Sequence, residues 1–581
     1  MDLINRINRT FVSRKYCKML FGGTLASVLV ALLVLSDSVI AGVYIDDRAV
    51  SAVNLVIPVF SMASFFGMVF SLGVPILYTK AIGSFRKDEA DKCFGLGLTV
   101  TSVIGLVMFI VLGLCTDVYL DFYDASPGIS DMAREYFYWI RLTVLLMPLS
   151  YYLCEMLFAD GDETLSTLAG VVEAGGNILF SVILCKRMGI AGLGIGSLIG
   201  TVLSLLVCFL HFTKKNNTLR INIYFSWKLL IDIGKFSLID AGAYLFISVF
   251  TFYLNKFIIV EFGTQMLVMA SVITIIKELE LVFDGIGEAA TPIISVYLSE
   301  KCYKGVRRIW KLGYITAIIE GIVVALILII IAPLTPSLFG ITDSGLAHTA
   351  VEGLRIMSVS LPFISLLYFL TSYHLIIERI RLGFVVSALR DVLIAIPMTL
   401  IGGLVFGIYG VFFGMVVSPA AAWLVTRIWV TVKEGKENWP LLINGLEEKV
   451  SNYIFEFKAV PEEIIGVRDN VEKLLTKEGF VSRDIMRCLF IVEETFMLIH
   501  DSNPGMEVCA ECVVVIEGDK VCIIARDDGK PVDLTDSDMK IDSFRAYSMA
   551  QFVRNRKIKT KHLLAISFNR NIFEISMHKN T

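Results

Sequence analysis

Over its first 430 or so residues the chain gathers its apolar side chains into long blocks, separated by short polar stretches. A helix needs about 20 apolar residues to cross a hydrocarbon core. Twelve blocks reach that length, near residues 19–43, 49–79, 94–115, 136–158, 164–185, 190–212, 236–260, 265–297, 313–338, 354–377, 383–404 and 408–432. They predict an all-α polytopic membrane body of twelve helices. From about residue 445 the pattern becomes that of ordinary soluble sequence. PEEIIGVRDNVEKLLTKEGF has apolar residues at helical spacing, and RDIMRCLFIVEETFMLIH reads as a second helix. ECVVVIEGDKVCIIARDDGKPVDL alternates as two strands about a Gly-Asp turn, and HLLAISFNRNIFEISMH as another hairpin. A C-terminal cytoplasmic α+β domain over 445–581 is the expectation.

Composition agrees with this division. Of 581 residues, 56% are hydrophobic and only 18% charged, with a mean hydropathy of +0.72; soluble domains carry about 25% charge. The net charge of -3 is spread without a basic stripe, so nucleic acid is not expected as a partner. The eleven cysteines show no framework spacing, and no disulfide is expected. MDLINRINRTFVSRKYCKML lacks a cleavable signal pattern and leads into a first transmembrane helix. Lys and Arg gather before block one, after blocks two and six, and after block eight, where Lys301, Lys304, Arg307, Arg308 and Lys311 stand. The opposite loops are acidic or bare, as at Asp46, Asp47 and Asp121. The positive-inside rule then puts both termini in the cytoplasm of a bacterial-type plasma membrane.

The two groups of six blocks resemble each other. Arg141 and Pro148 keep the spacing of Arg355 and Pro362, Gly189, Gly192 and Gly196 match Gly407, Gly410 and Gly414, and Pro75 matches Pro292. All pairs lie 214 to 218 positions apart, as duplication into two six-helix lobes would give. The lobes are expected at 1–213 and 236–432, with linkers at 214–235 and 433–444.

LSDSVIAGVYIDDRAVSAVNLVIPVF resembles the opening of the multidrug and toxic compound extrusion (MATE) family, with an Asp in helix one and an Ala/Asn-rich entry into a Pro-containing helix two. SLGVPILYTKAIGSFRKDEA, GDETLSTLAGVVEAGGN and GIAGLGIGSLIGTVLS are similar to the family's helix two, five and six signatures, so the resemblance covers about residues 15–432. It implies a secondary transporter, not an enzyme, that exports drug-sized compounds against protons or sodium. Asp37 takes the position of the family's amino-lobe Asp, Asn177 that of its helix-five Asn and Thr201 that of a helix-six Thr. Ser181 departs from the pattern, because many members have an Asp there, and Glu173, one turn before Asn177, stands as its substitute. Polysaccharide and lipid-intermediate flippases of the same superfamily share much of this pattern, so a flippase is the alternative.

The residues point the same way on their own. A carboxylate at mid-membrane costs about 3 kcal/mol or more, so it faces a cavity or a partner. Asp37 lies deep in block one, and Glu173, Asn177 and Ser181 recur every fourth residue on one helix face. Asn177 and Thr201 would equally serve as bonds between helices. Block eight, VITIIKELELVFDGIGEAATPII, repeats Glu280, Asp284 and Glu288 at the same spacing, with Lys277 beside them, and predicts a cation-selecting cavity or a proton relay. Asn255 falls near the repeat counterpart of Asp37, and Asp240 and His374 are further candidates. Asp391 beside Arg390 reads as an internal ion pair.

The tail resembles the GHKL ATPase fold in its anti-sigma-factor-kinase-like branch, through Glu493 and Glu494 at the N-box helix and Asp527, Gly529 and Pro531 in the adenine box. Leu498 stands where that family has a magnesium-holding Asn, and SFRAYSMAQFV contains no Gly for a phosphate loop. A degenerate nucleotide site at Glu494, Asp527 and Gly529 is therefore expected, without catalysis and with doubtful ATP binding. Asp527, Asp528 and Gly529 would also suit a plain surface turn. CAEC at Cys509 to Cys512 lacks the second ligand pair zinc needs, so no metal is expected. The partners implied are a small-molecule substrate, the lipid bilayer and a cytoplasmic regulatory protein at the tail, and the only cofactor is the coupling ion. A membrane sensor signalling through the tail is a further alternative.

Overall fold

In a computed structural model of the protein, residues 11–83, 86–214, 217–443, 450–530, 544–555, 558–562 and 569–579 are described. The apolar blocks fold as helices because each must satisfy its own backbone polar groups away from water. In chain order these are α1 (Phe11–Tyr44), α2 (Asp47–Gly83), α3 (Lys87–Tyr123), α4 (Pro127–Ala159), α5 (Glu163–Met188), α6 (Ile190–Leu210) and α7 (Trp227–Phe262). There follow α8 (Leu267–Leu279), α9 (Asp284–Ser299), α10 (Tyr303–Ile331), α11 (Ser344–Ser358), α12 (Leu361–Ile376), α13 (Ile380–Ala388) and α14 (Ala395–Glu434). Among the described residues eight helices are long and apolar enough to cross a membrane, or nine if α11 and α12, bent by 46°, form one span. This is fewer than the twelve blocks, partly because helices break inside blocks or run on between them. The 3₁₀ turn Glu280–Phe283 cuts block eight, and the last two blocks share the run Ile380–Glu434.

The internal repeat is visible in backbone geometry. Gly189 between α5 and α6 has φ 60° and ψ -139°, and Gly407 inside α14 has φ 67° and ψ -154°. That left-handed conformation favours glycine at both. A Cβ at Gly192 would press on Leu184 and one at Gly196 on Ser181, while Gly410 meets Gly402 and Gly414 meets Thr399. Adding 218 to each residue of the first set gives the second. Both lobes therefore close their last two helices through the same glycine contacts, as small residues permit in a membrane.

The lobes meet along α2 and α7. Asn54 Nδ2 donates to Asn255 Oδ1 at 2.6 Å, Asn255 Nδ2 to the Asn54 carbonyl at 3.0 Å, and Thr274 Oγ1 to Asn54 Oδ1 at 3.0 Å, all buried. Ser248 and Lys256 add bonds to the carbonyls of Pro58 and Phe122, each at 2.6 Å. These clasps lie toward the acidic loops of Asp46 and Asp124.

The tail is an antiparallel five-stranded sheet in the order β1-β2-β3-β5-β4. Its strands are β1 (Ser451–Lys458), β2 (Cys509–Glu517), β3 (Lys520–Asp527), β4 (Lys559–His562) and β5 (Asn569–Ser576), accompanied by α15 (Pro461–Lys477), α16 (Ser482–Asp501) and α17 (Phe544–Asn555). The sequence reading missed β1 and α17. One face of the sheet, with Phe457, Cys512, Val514, Ile523 and Phe573, packs on the helices. The other, with Val513, Val515 and Ile524, joins the core of the membrane body. Residue alternation separates these two sets strictly. The second face adds buried Glu511 and Arg526 to its apolar residues, so the sheet has two buried faces.

Candidate functional site

α5 and α6 approach closely because Gly196 and Gly200 leave no side chain between them; a Cβ at Gly200 would meet the Glu173 carbonyl and the Asn177 nitrogen. This places the α5 stripe against the hydroxyls of α6. Asn177 Nδ2 donates to Ser197 Oγ at 3.1 Å, Ser181 Oγ to Asn177 Oδ1 at 3.2 Å, and Thr201 Oγ1 to Glu173 Oε1 at 3.3 Å. Asp37 on α1 completes the cluster: its Oδ2 accepts from Tyr136 at 2.7 Å and from Ser197 at 3.2 Å. The Ser197 proton has a second acceptor in the Leu193 carbonyl at 3.2 Å. Asp37 Oδ1 is buried and has no hydrogen-bond partner among the described residues. A carboxylate held by two hydroxyls through one oxygen, with the other bare, has room for one proton or one small cation.

Asp37, Glu173, Asn177 and Thr201 are thus brought onto facing surfaces of one lobe. Asn255 is not among them; its side chain is committed to Asn54. Sequence reasoning missed Tyr136 and Ser197. Ser197 had a signal, since it stands one turn before Thr201 on the polar stripe of α6, whereas nothing local distinguishes Tyr136 from other aromatic residues of α4.

In the second lobe the carboxylate stripe is interrupted. Four residues of α-helix advance the side chain about 40° past a full turn, and four of 3₁₀ helix about 120°. The turn Glu280–Phe283 therefore carries Asp284 away from the face that holds Glu280. Glu280 lies 3.0 Å from Lys277 Nζ, which is also 3.2 Å from Asp391; Arg390 binds Asp391 through two nitrogens at 2.6 and 3.0 Å. The Arg390 guanidinium stacks 3.5 Å above the Tyr368 ring centre. All four charged groups are buried. Two cations and two anions balance, and Asp391 is in the ion pair expected of it. Arg390 and Asp391 lie on a π-helical turn, Leu389–Leu393, facing the 3₁₀ break. Glu278 is buried nearby, and both it and Asp284 are within electrostatic range of Tyr244 on α7, as Glu173 is of Tyr151 on α4. Both nitrogens of His374 are buried without a hydrogen-bond partner among the described residues, and the Asp240 side chain lies outside those residues.

In the tail, Asp527 Oδ1 accepts from Asn569 Nδ2 at 2.8 Å and from the Gly529 nitrogen at 3.0 Å. Asn503 accepts from the Lys530 nitrogen at 2.8 Å, and a Cβ at Gly529 would collide with it. The turn after β3 is stapled from within the chain, and Asp527 is fully buried, unlike a plain surface turn. Glu494 binds Arg545 at 3.0 Å, and Leu498 is buried among the apolar residues between sheet and helices. Pro531 lies outside the described residues. Cys509 and Cys512, an odd number of residues apart on β2, point to opposite faces of the sheet.

Comparison with known proteins places this architecture. Residues 24–183 match the MatE family model. The Multidrug export protein MepA of Staphylococcus aureus, in strains MRSA252 and N315, is 22% identical over 431 residues, covering 70% of this chain and 90% of MepA. The inward-facing conformation of a multidrug resistance MATE family transporter of the MOP superfamily superposes with a TM-score of 0.65 at 18% identity, over 72% of this chain and 99% of that one. The outward-facing conformation of such a transporter gives 0.59 at 19% identity, over 76% and 98%. The helical body of this chain therefore has the fold of the MATE transporters.

Proposed function

We propose that the protein is a proton- or sodium-coupled antiporter that exports small amphipathic or cationic compounds by alternating access between two six-helix lobes. MATE multidrug transporters are secondary transporters, not enzymes. One observation carries the coupling role: Asp37 presents a bare oxygen inside a cluster of hydroxyl and amide groups, where a bound proton or ion changes the bonds of Tyr136, Ser197 and, through Ser197, Asn177. Glu173, Glu278 and Asp284, near Tyr151 and Tyr244, supply negative charge and aromatic surface for a cation. Glu280 serves instead to balance Lys277. The clasp of Asn54 and Asn255 closes the lobes toward the acidic loops, which the distribution of Lys and Arg assigns to the outside. Twelve spans, cytoplasmic termini and a non-catalytic GHKL-like regulatory tail over 445–581 belong to the same reading.

Asp37→Asn keeps the volume and removes the titratable group. In vesicles loaded with a fluorescent cation, gradient-driven transport is expected to disappear while the variant inserts normally. Undiminished transport would overturn the assignment.

A further inference from the structure

The tail does not hang free below the membrane body. Its sheet lies on the turn between α9 and α10 and on the first turns of α1. At the centre Glu511 accepts from Tyr297 at 2.9 Å and from Arg526 Nη1 at 2.5 Å. Arg526 also bonds Glu300, which Arg570 reaches at 3.1 Å. Around this buried cluster Arg308 binds both oxygens of Glu456, at 2.6 and 3.1 Å, and the Asn452 side chain bonds the Lys301 carbonyl and the Lys304 nitrogen, each at 3.1 Å.

The edge of the dock is formed by α1. Arg14 donates to Cys509 Sγ on β2, and Lys15 lies within electrostatic range of Asp528 at the end of β3. Cys509 and Asp528 are themselves joined, backbone nitrogen to carboxylate, at 2.8 Å. So α1 touches the tail at the corner of the sheet that carries Asp527 and Gly529. From there α1 runs unbroken to Asp37, 23 residues and about 35 Å away. Its lower half is held to the second lobe by Tyr16 on Thr316 at 2.7 Å, Thr24 on Glu320 at 3.1 Å and the close crossing of Gly23 over Gly285. Its upper half meets the first lobe through Asp37, and beyond Asp37 its last turn packs by Gly42 on Leu338 and Phe339 of the second lobe.

We propose that α1 is a lever connecting the cytoplasmic domain to Asp37, with the Gly23–Gly285 crossing as its fulcrum, so that the state of the tail dock and the occupancy of Asp37 control each other. A continuous helix transmits tilt and axial rotation, and both of its ends are fixed by bonds that a small rotation breaks. Coupling between two binding equilibria is reciprocal: an ion on Asp37 alters the dock, and any ligand or partner of the tail corner alters ion binding at Asp37. The inference rests on the coupling role assigned to Asp37 above.

The test reads the lever without using transport. In the full-length protein in nanodiscs, maleimide labelling rates of Cys509 and Cys522, both half-buried on the docking side, are followed peptide by peptide, with Cys488 in the tail's own core as the measure of folding. Asp37→Asn is expected to change the Cys509 and Cys522 rates at least threefold and to leave Cys488 unchanged. Should that variant not fold, Tyr136→Phe is read in the same way. Rates changed by less than threefold from the unsubstituted protein overturn the lever, as does an equal change in Glu173→Gln, whose site is on α5. Normal transport in Asp37→Asn would remove the coupling role of Asp37, a failure recorded in a different assay.

Discussion

Removing one charge from the tail dock tests whether the sheet's second face is a true interface. Arg526 is 1% exposed, with Glu300 and Glu511 at 3% and 0%. With Arg570 the cluster holds two positive and two negative groups, so Arg526→Met leaves one buried negative charge in excess. Deleting one partner of a buried pair costs about 3–5 kcal/mol. The lower end applies, because Glu300 keeps Arg570 and Glu511 keeps the Tyr297 hydroxyl. The Arg526 guanidinium also lies 4.4 Å from the Tyr297 ring centre, and the loss of that cation–π contact, about 1 kcal/mol, is counted within this lower figure. About 3 kcal/mol is roughly two decades in the docking equilibrium. Cys302, buried at the dock, and Cys522 should then react with maleimide up to about 100-fold faster. Adding Glu511→Gln to Arg526→Met restores the balance of charge and keeps a bond for Tyr297, so the double variant should recover at least half of the loss. An acceleration below about fivefold, or a double variant no slower than the single, would refute the buried dock.

Glu280→Gln should lower the thermal stability of the detergent-solubilised protein by about 3–5 kcal/mol and reduce transport of charged and neutral substrates alike; adding Lys277→Met should restore most of the stability. A selective loss of cation transport would instead return Glu280 to the cavity. The full-length protein should show no micromolar, magnesium-dependent affinity for ATP in equilibrium binding, because Arg545 holds Glu494 and Leu498 offers no oxygen to a metal; tight binding would show that this end of α16 is a working N-box. Asn54→Ala should remove the side-chain bonds that join the lobes and leave Asn255 Oδ1 buried without its donor, while Asn255 Nδ2 keeps the backbone carbonyl of residue 54, at a cost of about 1–3 kcal/mol. It should therefore accelerate labelling of a cysteine placed at Ser248, and an unchanged rate would place the seal between the lobes elsewhere.

What could be read in advance followed the physics of each feature. Helical blocks were legible because an apolar run of membrane length has few alternatives, and the repeat was legible because glycine is needed wherever the chain turns through the left-handed region or two helices touch. Asp37 was legible as a lone acid in an apolar block. Periodicity assumes a uniform helix, so it could not foresee the 3₁₀ turn that separates Glu280 from Asp284, nor the π-turn that aims Asp391 at Lys277. Glu511 and Arg526 sat unnoticed in strands read as one-faced, since a charged residue on alternate positions looks like a solvent side until the partner surface is known. SNYIFEFK, the first strand, was lost between a linker and a strong helix.

A sheet with two buried faces also fixes an order of assembly. Translation at about 5–20 residues per second separates Arg308 from the last strand's end at Ser576 by about 13–54 s. Through that interval the membrane body stands in the bilayer with Tyr297 and Glu300 lacking their sheet, and as the tail emerges, Val513, Val515 and Ile524 lack their floor. Each half is thus the other's last folding step. A tail made on its own would leave Val513, Val515 and Ile524 uncovered on its docking face, so truncation or separate expression should be seen first as insolubility and turnover, ahead of any change in transport.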